Sequence, residues 1–349
     1  MPPPPDDHGV VRADYAACRA VLRAGSRSFF AASLLLPDRV RQPASALYAF
    51  CRIADDAVDL AGGKAHAIAR LRARLARAYA GRPLPNPVDR AFAATVTRFA
   101  IPRALPEALL EGLEWDVRGR RYQDLAALND YAARVAGTVG AMMALVMGVR
   151  DPGGLARACD LGIAMQLSNI ARDVGEDARE GRLYLPEQWL REVGIDPAEW
   201  LARPRFDPAL GAVVGRLLEA ADQLYRRAEA GIAQLSLGCR PAIYGARFVY
   251  AEIGRELERQ GLDSISRRAV VGGARKARLL AKAVLTTPAP RRAVPALPLD
   301  GVRFLIEAVS AEPVASMPRA ASFDDRIAWV IALFDRLERR QIASVGSRS

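Results

Sequence analysis

Apolar positions recur at helical spacing along almost the whole chain, and no stretch alternates for long enough to build a sheet. The spacing predicts a helix over residues 11–35, closed by Pro37, and a second over 41–60 that buries Ala46, Leu47, Ala49, Phe50 and Ile53. Further helices are expected near 64–80, 87–100, 104–122, 129–148, 152–178, 209–236 and 239–260. Gly and Pro punctuate them at Gly62-Gly63, Gly81-Arg-Pro-Leu-Pro, Asp151-Pro-Gly-Gly and Gly181. The expected fold class is all-α, with a flexible arm over 1–10 and one helical domain over 11–285. From Thr286 a Pro-rich run predicts a linker over 286–322. Phe323, Ile327, Val330, Ile331, Phe334 and Leu337 then share one face with Arg326, Arg336, Arg339 and Arg340 nearby. That pattern predicts an amphipathic helix within 323–349, suited to a membrane surface or to packing on the body or on a partner.

Composition narrows the chemistry. The chain has 349 residues, and a 51% hydrophobic content excludes wholesale disorder. His8 and His66 are the only histidines and neither has a ligand-like neighbour, which argues against a His-rich zinc site or a Ser-His-Asp triad. Cys18, Cys51, Cys159 and Cys239 form no C-x-x-C pair and read as reduced thiols of a cytosolic protein. Cys51 reads as core. The net charge of +11 is nearly all arginine, because Lys64, Lys276 and Lys282 are the only lysines. Arginine pairs bidentately with phosphate, although a coding bias towards arginine accounts equally well for much of the surface. The basic residues are spread out and not interleaved with aromatics, so nucleic acid is the weakest partner. No uncharged apolar run reaches 18 residues, and the N-terminus lacks signal-peptide blocks.

Two polar clusters interrupt the apolar pattern. In Asp55-Asp56-Ala-Val-Asp59, Asp55 and Asp59 are four apart and share a helix face. In the run from Gln166 to Asp177, the residues Gln166, Asn169, Asp173 and Asp177 form one oxygen-bearing stripe, with Arg172 beside it. Leu161, Ile163, Ala164, Met165, Leu167 and Ile170 around that stripe are apolar, and a polar stripe on a buried helix is costly unless it meets a partner. One such cluster alone is commonly a solvated acidic face. Two, on two apolar helices, point to facing stripes that hold Mg²⁺ and a diphosphate between them. Metal and arginine then stabilise diphosphate as a leaving group and an allylic cation forms in an apolar cavity.

At these residues the chain resembles the head-to-head prenyl synthases: the squalene, dehydrosqualene and phytoene synthases. Five stretches carry the resemblance: Gly25-Ser-Arg-Ser-Phe-Phe, Leu47 to Asp59, Tyr131 to Gly140, Gln166 to Asp177, and Gly181-Arg-Leu-Tyr-Leu-Pro. The likeness runs to about residue 282, and the wording of Ser33-Leu-Leu-Leu-Pro and Arg172-Asp-Val-Gly-Glu-Asp-Ala-Arg is most similar to bacterial phytoene synthases. The resemblance implies a single-domain isoprenoid-synthase helical bundle with a central hydrophobic cavity. It implies that two geranylgeranyl diphosphates join C1 to C1 through prephytoene diphosphate and give phytoene for carotenoid biosynthesis. The implied cofactor is Mg²⁺, with Mn²⁺ able to substitute, and no NADPH. Asp55, Asp59, Asn169, Asp173 and Asp177 are then metal ligands, and Tyr131 is a cavity-facing catalytic tyrosine. Ser26, Arg27, Ser28, Tyr48, Arg52, Gln166, Arg172, Tyr250, Arg267 and Lys276 are substrate contacts, with Arg275 able to replace Lys276. Some relatives carry His where this chain has Gly25, so a contact there has to come from backbone. Peripheral contact with the inner face of the membrane and a phytoene desaturase as partner follow from the lipid product.

Each residue also has a plainer reading. Tyr131 and Tyr250 suit core tyrosines with bonded hydroxyls, and Arg52 suits an ion pair with Asp55 or Asp56. Met142, Met143, Leu145, Val146 and Met147 fit either cavity wall or core. Three other functions compete with the leading one. Farnesyl diphosphate as substrate gives dehydrosqualene or presqualene diphosphate. A non-catalytic assembly factor with this fold is expected to lose acidic ligands, which this chain keeps. Head-to-tail elongation is disfavoured, because the second cluster is Asn169-x-x-x-Asp173-x-x-x-Asp177.

Overall fold

Four helices begin with the same two-residue signal. Asn86-Pro87, Asp151-Pro152, Asp196-Pro197 and Asp207-Pro208 each place an acceptor side chain at the cap and a proline at the first helical position. Asp151 accepts from the Gly154 amide at 2.7 Å and Asp207 from the Leu210 amide at 2.7 Å. The computed structural model describes residues 12–59, 64–287 and 296–311, with backbone alone at 59, 64 and 65. The arm over 1–10 and the amphipathic helix expected within 323–349 lie outside the described residues. The described ones fall within a unit that ends at Pro313.

The helices are α1 (Arg12–Gly25), α2 (Arg27–Ser33), α3 (Asp38–Asp59), α4 (Lys64–Tyr79), α5 (Pro87–Arg98), α6 (Ala104–Val117), α7 (Leu125–Ala132) and α8 (Thr138–Val146). They continue with α9 (Pro152–Arg179), α10 (Glu187–Glu192), α11 (Pro197–Ala202), α12 (Pro208–Ile232), α13 (Arg240–Arg259), α14 (Gly273–Thr286) and α15 (Arg303–Ala311). No strand occurs among the described residues. The all-α expectation and most of the expected helices match this order.

Four differences have physical causes. The helix expected over 11–35 is two helices, because Ser26 leaves helical geometry and accepts the Phe29 amide at 3.2 Å to start α2. The helix expected over 129–148 contains a π turn at Ala133–Gly137, which inserts a residue that no 3.6-residue period reveals. Short α10 and α11 and the basic α14 were not foreseen. The linker expected over 286–322 includes α15, which buries Leu305, Ile306 and Val309 against the body.

Helix α9 is the axis of the domain. It packs against α8, the π turn, α12 and α13. Two glycines let backbones touch there. A Cβ on Gly162 would lie 2.2 Å from the Ala136 carbonyl oxygen, and one on Gly140 would lie 2.2 Å from that of Ala158. This contact draws the π turn and α8 onto α9 and turns Val135, Ala136, Val139 and Met143 towards a cavity. Helix α9 stops at Gly181, whose φ of +74° suits glycine; the following Arg182 amide then donates to the Asp177 carbonyl at 2.8 Å.

Candidate active site

The cavity has a volume of about 320 Å³ and is walled by α2, α3, the π turn, α8, α9, α12 and α13. Its lining is mostly hydrocarbon, including Phe29, Leu36, Met143, Leu161 and Ile243. Met143 and Met147 face it, whereas Met142, Leu145 and Val146 are core. Polar groups gather at one end. Tyr48 and Cys51 of α3 and Gln166 and Asn169 of α9 line the same space. Helical spacing carries the α3 stripe on from Cys51 to Asp55, and the α9 stripe on from Asn169 to Asp173 and Asp177. Gln166 and Asn169 of the second stripe therefore line the cavity beside Tyr48 and Cys51, one turn before Asp55, while Asp55, Asp173 and Asp177 are not among its lining residues. Asp59 belongs to the first stripe by register, but its side chain lies outside the described residues.

Tyr250 on α13 ties the two sides together. Burial is the main cause of its raised pKa, and Arg172, Ser26, Tyr48 and Asp173 all act on its hydroxyl. Its ring lies 4.9 Å from that of Phe29. The Tyr48 hydroxyl fills the space at residue 25, where a Cβ would approach it to 2.6 Å. Gln166 and Asn169 make no side-chain hydrogen bond among the described residues, which leaves their amides free towards the cavity.

Charge at this end is densely coupled. Arg172 bonds Asp173 through Nε at 2.7 Å. Arg268 reaches Asp173 at 2.9 Å and Glu176 at 3.3 Å from the 263–268 loop. That loop fits because a Cβ on Gly175 would strike Ile265 and Ser264 at 2.8 Å. Burial, and then Asp173, push the Asp177 carboxyl up to about 8 while Arg182 opposes them. Arg52 pairs with Asp56 at 2.7 Å and lies 3.7 Å from Asp55, the ion pair that its position suggests. Burial pushes the Cys51 thiol up to about 12, so no thiolate is available beside the first stripe.

Two expected contacts, Tyr131 and Arg267, sit elsewhere than the sequence suggested. Tyr131 is buried at 3% exposure and does not line the cavity; its hydroxyl donates to Asp116 Oδ2 at 2.8 Å. Arg267 turns away and donates to the Gln260 carbonyl at 3.2 Å, whereas Arg268 reaches the stripe. Arg275 bonds Glu252 at 2.9 Å and is occupied, while half-buried Lys276 has no carboxylate partner among the described residues. Arg27 is exposed and Ser28 half-buried on α2, next to the Ser26 cap.

Sequence reasoning missed Asp116, which also accepts from Tyr184 at 2.7 Å and adds to the charge around Asp177. Its hydroxyl partners are 15 and 68 residues away, so no local spacing marks it. Arg268 was one residue from the chosen arginine, an ambiguity of loop register.

These residues suit a hard divalent cation. The donors are carboxylates and one free amide, the oxygen set that Mg²⁺ prefers. Asp177, recessed among like charges, gains from a nearby cation. Among the described residues no three acidic, His or Cys side chains close around one point, so Asn169 and phosphate oxygens are needed to complete a shell.

A helical domain wrapped around a greasy cavity with oxygen stripes at one end defines a class of prenyl-diphosphate enzymes. The profile of the squalene/phytoene synthase family matches residues 22–275, and the chain belongs to that family. It is 58% identical over 270 residues to the phytoene synthase of Cereibacter sphaeroides, covering 74% of this chain and 76% of that one. It is 53% identical over 283 residues to the phytoene synthase of Rhodobacter capsulatus, covering 80% and 84%. Among solved structures, a dehydrosqualene synthase in complex with ligand superposes with a TM-score of 0.70 at 29% identity, covering 78% of this chain and 95% of that chain.

Proposed function

We propose that this chain joins two geranylgeranyl diphosphates head to head through prephytoene diphosphate and releases phytoene, two diphosphates and two protons, one as the cyclopropane closes and one at the end. The observation that carries the reading is the shared cavity: Tyr48 and Cys51 from one acidic helix and Gln166 and Asn169 from the other line one apolar space. The high identity to phytoene synthases supports the twenty-carbon substrate over farnesyl diphosphate.

Arg172, Arg268, Arg27 and Lys276 take up negative charge as the C1–O bond to diphosphate breaks, and preorganised cations are worth most where water is excluded. Tyr48 and Tyr250 offer hydroxyl donors to the same oxygens. Asp55, Asn169, Asp173 and Asp177, with Asp59 completing the first stripe, would hold Mg²⁺, which would supply further neutralisation of the leaving diphosphate. The hydrocarbon wall keeps water from the allylic cation, so it is captured by the second prenyl double bond and not by hydrolysis. Proton loss ends the sequence with no hydride donor, so NADPH has no place in it. Tyr131, held behind the wall by Asp116, positions the end of α9 and does not touch substrate.

Substrate and product tails are lipids, and we place the enzyme at the inner face of the membrane, where a phytoene desaturase can take the product. No described helix is long and apolar enough to cross a membrane. Exposed Leu34 and Leu237 stand two residues from cavity-lining Leu36 and Leu235. Val284 and Leu285 follow Ala283, which meets Gly245 beside Leu35. Sedimentation with anionic vesicles should weaken in a Leu34→Ser, Leu285→Ser double variant; unchanged partitioning removes this surface from the account.

The product assay is direct. Purified protein given geranylgeranyl diphosphate and Mg²⁺, without reductant, should yield phytoene. Consumption of farnesyl diphosphate alone overturns the substrate assignment.

A further inference from the structure

A second recess lies outside the cavity, between α1 and the start of α3. It has a volume of about 270 Å³ and is lined by Arg12, Tyr15 and Arg19 from α1 and by Asp38, Arg41 and Gln42 from α3. Arg12 and Arg19 are seven residues apart and so share one face of α1. Both are exposed, and neither forms an ion pair among the described residues. Asp38 is the one acid among the described lining residues, and Arg41 pairs with it. Three arginines against one carboxylate leave the lining with a net charge of +2. The other acid of α1, Asp14, does not lower it, because it is buried and bonded by Arg90 at 2.6 Å.

The recess is remote from the stripes. Arg41 precedes Asp55 by fourteen residues of α3, about 21 Å along the helix axis. A diphosphate gripped by the stripes therefore cannot reach it. Exposed hydrocarbon adjoins it instead. Leu34 comes four residues before Asp38 and is half-exposed, as is Leu237 in the turn between α12 and α13. That turn packs on the one before α3: a Cβ on Gly238 would lie 3.2 Å from Pro37 Cγ. The two leucines therefore flank Pro37, at the entrance to α3. Cations beside protruding leucines are the two layers that a lipid surface meets, phosphate outside and acyl chain beneath. Guanidinium groups also match phosphate oxygens in pairs.

We propose that the recess between α1 and α3 is a headgroup site for an anionic phospholipid, with Leu34 and Leu237 entering the acyl layer beside it. The inference rests on the membrane contact proposed above and names the lipid chemistry that directs it. Held this way, the part of the cavity lined by Leu36 and Leu235 adjoins the bilayer.

The test is sedimentation of the full-length protein with phosphatidylcholine vesicles, with and without phosphatidylglycerol. Wild-type partitioning should rise at least tenfold when phosphatidylglycerol is present. An Arg12→Gln, Arg19→Gln pair should lose about tenfold of that binding, and an Arg12→Glu, Arg19→Glu pair more. A control pair, Arg203→Glu with Arg205→Glu, makes the same charge change at exposed positions beside the start of α12 and should lose less than threefold. Turnover of geranylgeranyl diphosphate in detergent should be the same in every variant. Equal wild-type binding to both vesicle types overturns the headgroup site, as do equal losses in the two Glu pairs. Tight binding of glycerol phosphate in solution, lost in the Arg12 and Arg19 variants, assigns the recess to a soluble phosphate compound instead. A raised KM in those variants assigns it to the prenyl substrate. Wild-type protein that binds neither vesicle sinks the membrane contact itself, whereas binding that survives both α1 pairs sinks only the recess.

Discussion

Tyr131 donates its hydroxyl proton to Asp116 at 2.8 Å, and the pair sits behind the acidic stripe of α9 instead of on the cavity wall. Tyr184 takes the other oxygen of the same carboxylate at 2.7 Å, and the Tyr131 and Tyr184 rings stack at 5.2 Å. This cluster supports the end of the helix that carries Asp173 and Asp177. Replacing Tyr131 by Phe keeps the stack and removes one hydrogen bond to a charged acceptor. The expected cost is about 1.5–3 kcal/mol of stability, which lowers the Tm by several degrees. The expected fall in kcat is less than tenfold. Thermal unfolding and steady-state kinetics check this; a thousandfold loss of kcat at unchanged Tm would return Tyr131 to the reacting centre.

Neighbouring arginines separate the register options at the 263–268 loop. Arg268 meets Asp173 and Glu176, whereas Arg267 caps the Gln260 carbonyl. Arg268→Gln should raise KM for the prenyl diphosphate about tenfold, by loss of a charge-assisted contact. Arg267→Gln should change it less than twofold. The reverse order in measured KM values would mean that the loop is shifted by one residue in the working enzyme.

Backbone contact between α9 and the π turn gives a stability prediction. Gly162→Ala drives a Cβ to 2.2 Å from the Ala136 carbonyl, with backbone on both sides and no flexible side chain to yield. The expected cost is at least about 1–3 kcal/mol, the usual range for overpacking. Gly273→Ala, at the first position of α14 with nothing within 4 Å, should be neutral or stabilising by up to about 1 kcal/mol. Chemical denaturation of both variants reads the difference directly.

Much of this architecture is written locally. Asp-Pro and Asn-Pro pairs announce helix starts because a cap acceptor and a missing N–H act within one turn. The two oxygen stripes are visible because helical spacing alone decides which residues share a face, and Tyr48 and Cys51 of one helix and Gln166 and Asn169 of the other line one cavity. What stayed hidden depends on contacts distant in sequence. The π turn is set by Gly162 meeting Ala136 from another helix. Asp116 is recruited by tyrosines from two other segments. Helix α15 lies in a region of proline-rich composition, yet Arg134 stacks on its Phe304 at 5.1 Å and ties it to the body. Composition cannot show such docking.

The central claim is that the stripes of α3 and α9 grip one diphosphate through divalent cations. The most direct measurement is anomalous diffraction from crystals grown with Mn²⁺ and a non-hydrolysable geranylgeranyl thiodiphosphate. The expected result is Mn²⁺ peaks between the two helices, ligated by Asp55 from one side and by Asn169, Asp173 or Asp177 from the other, with the prenyl tail in the apolar cavity. Peaks on the outer surface, or a thiodiphosphate bound away from both stripes, would contradict it.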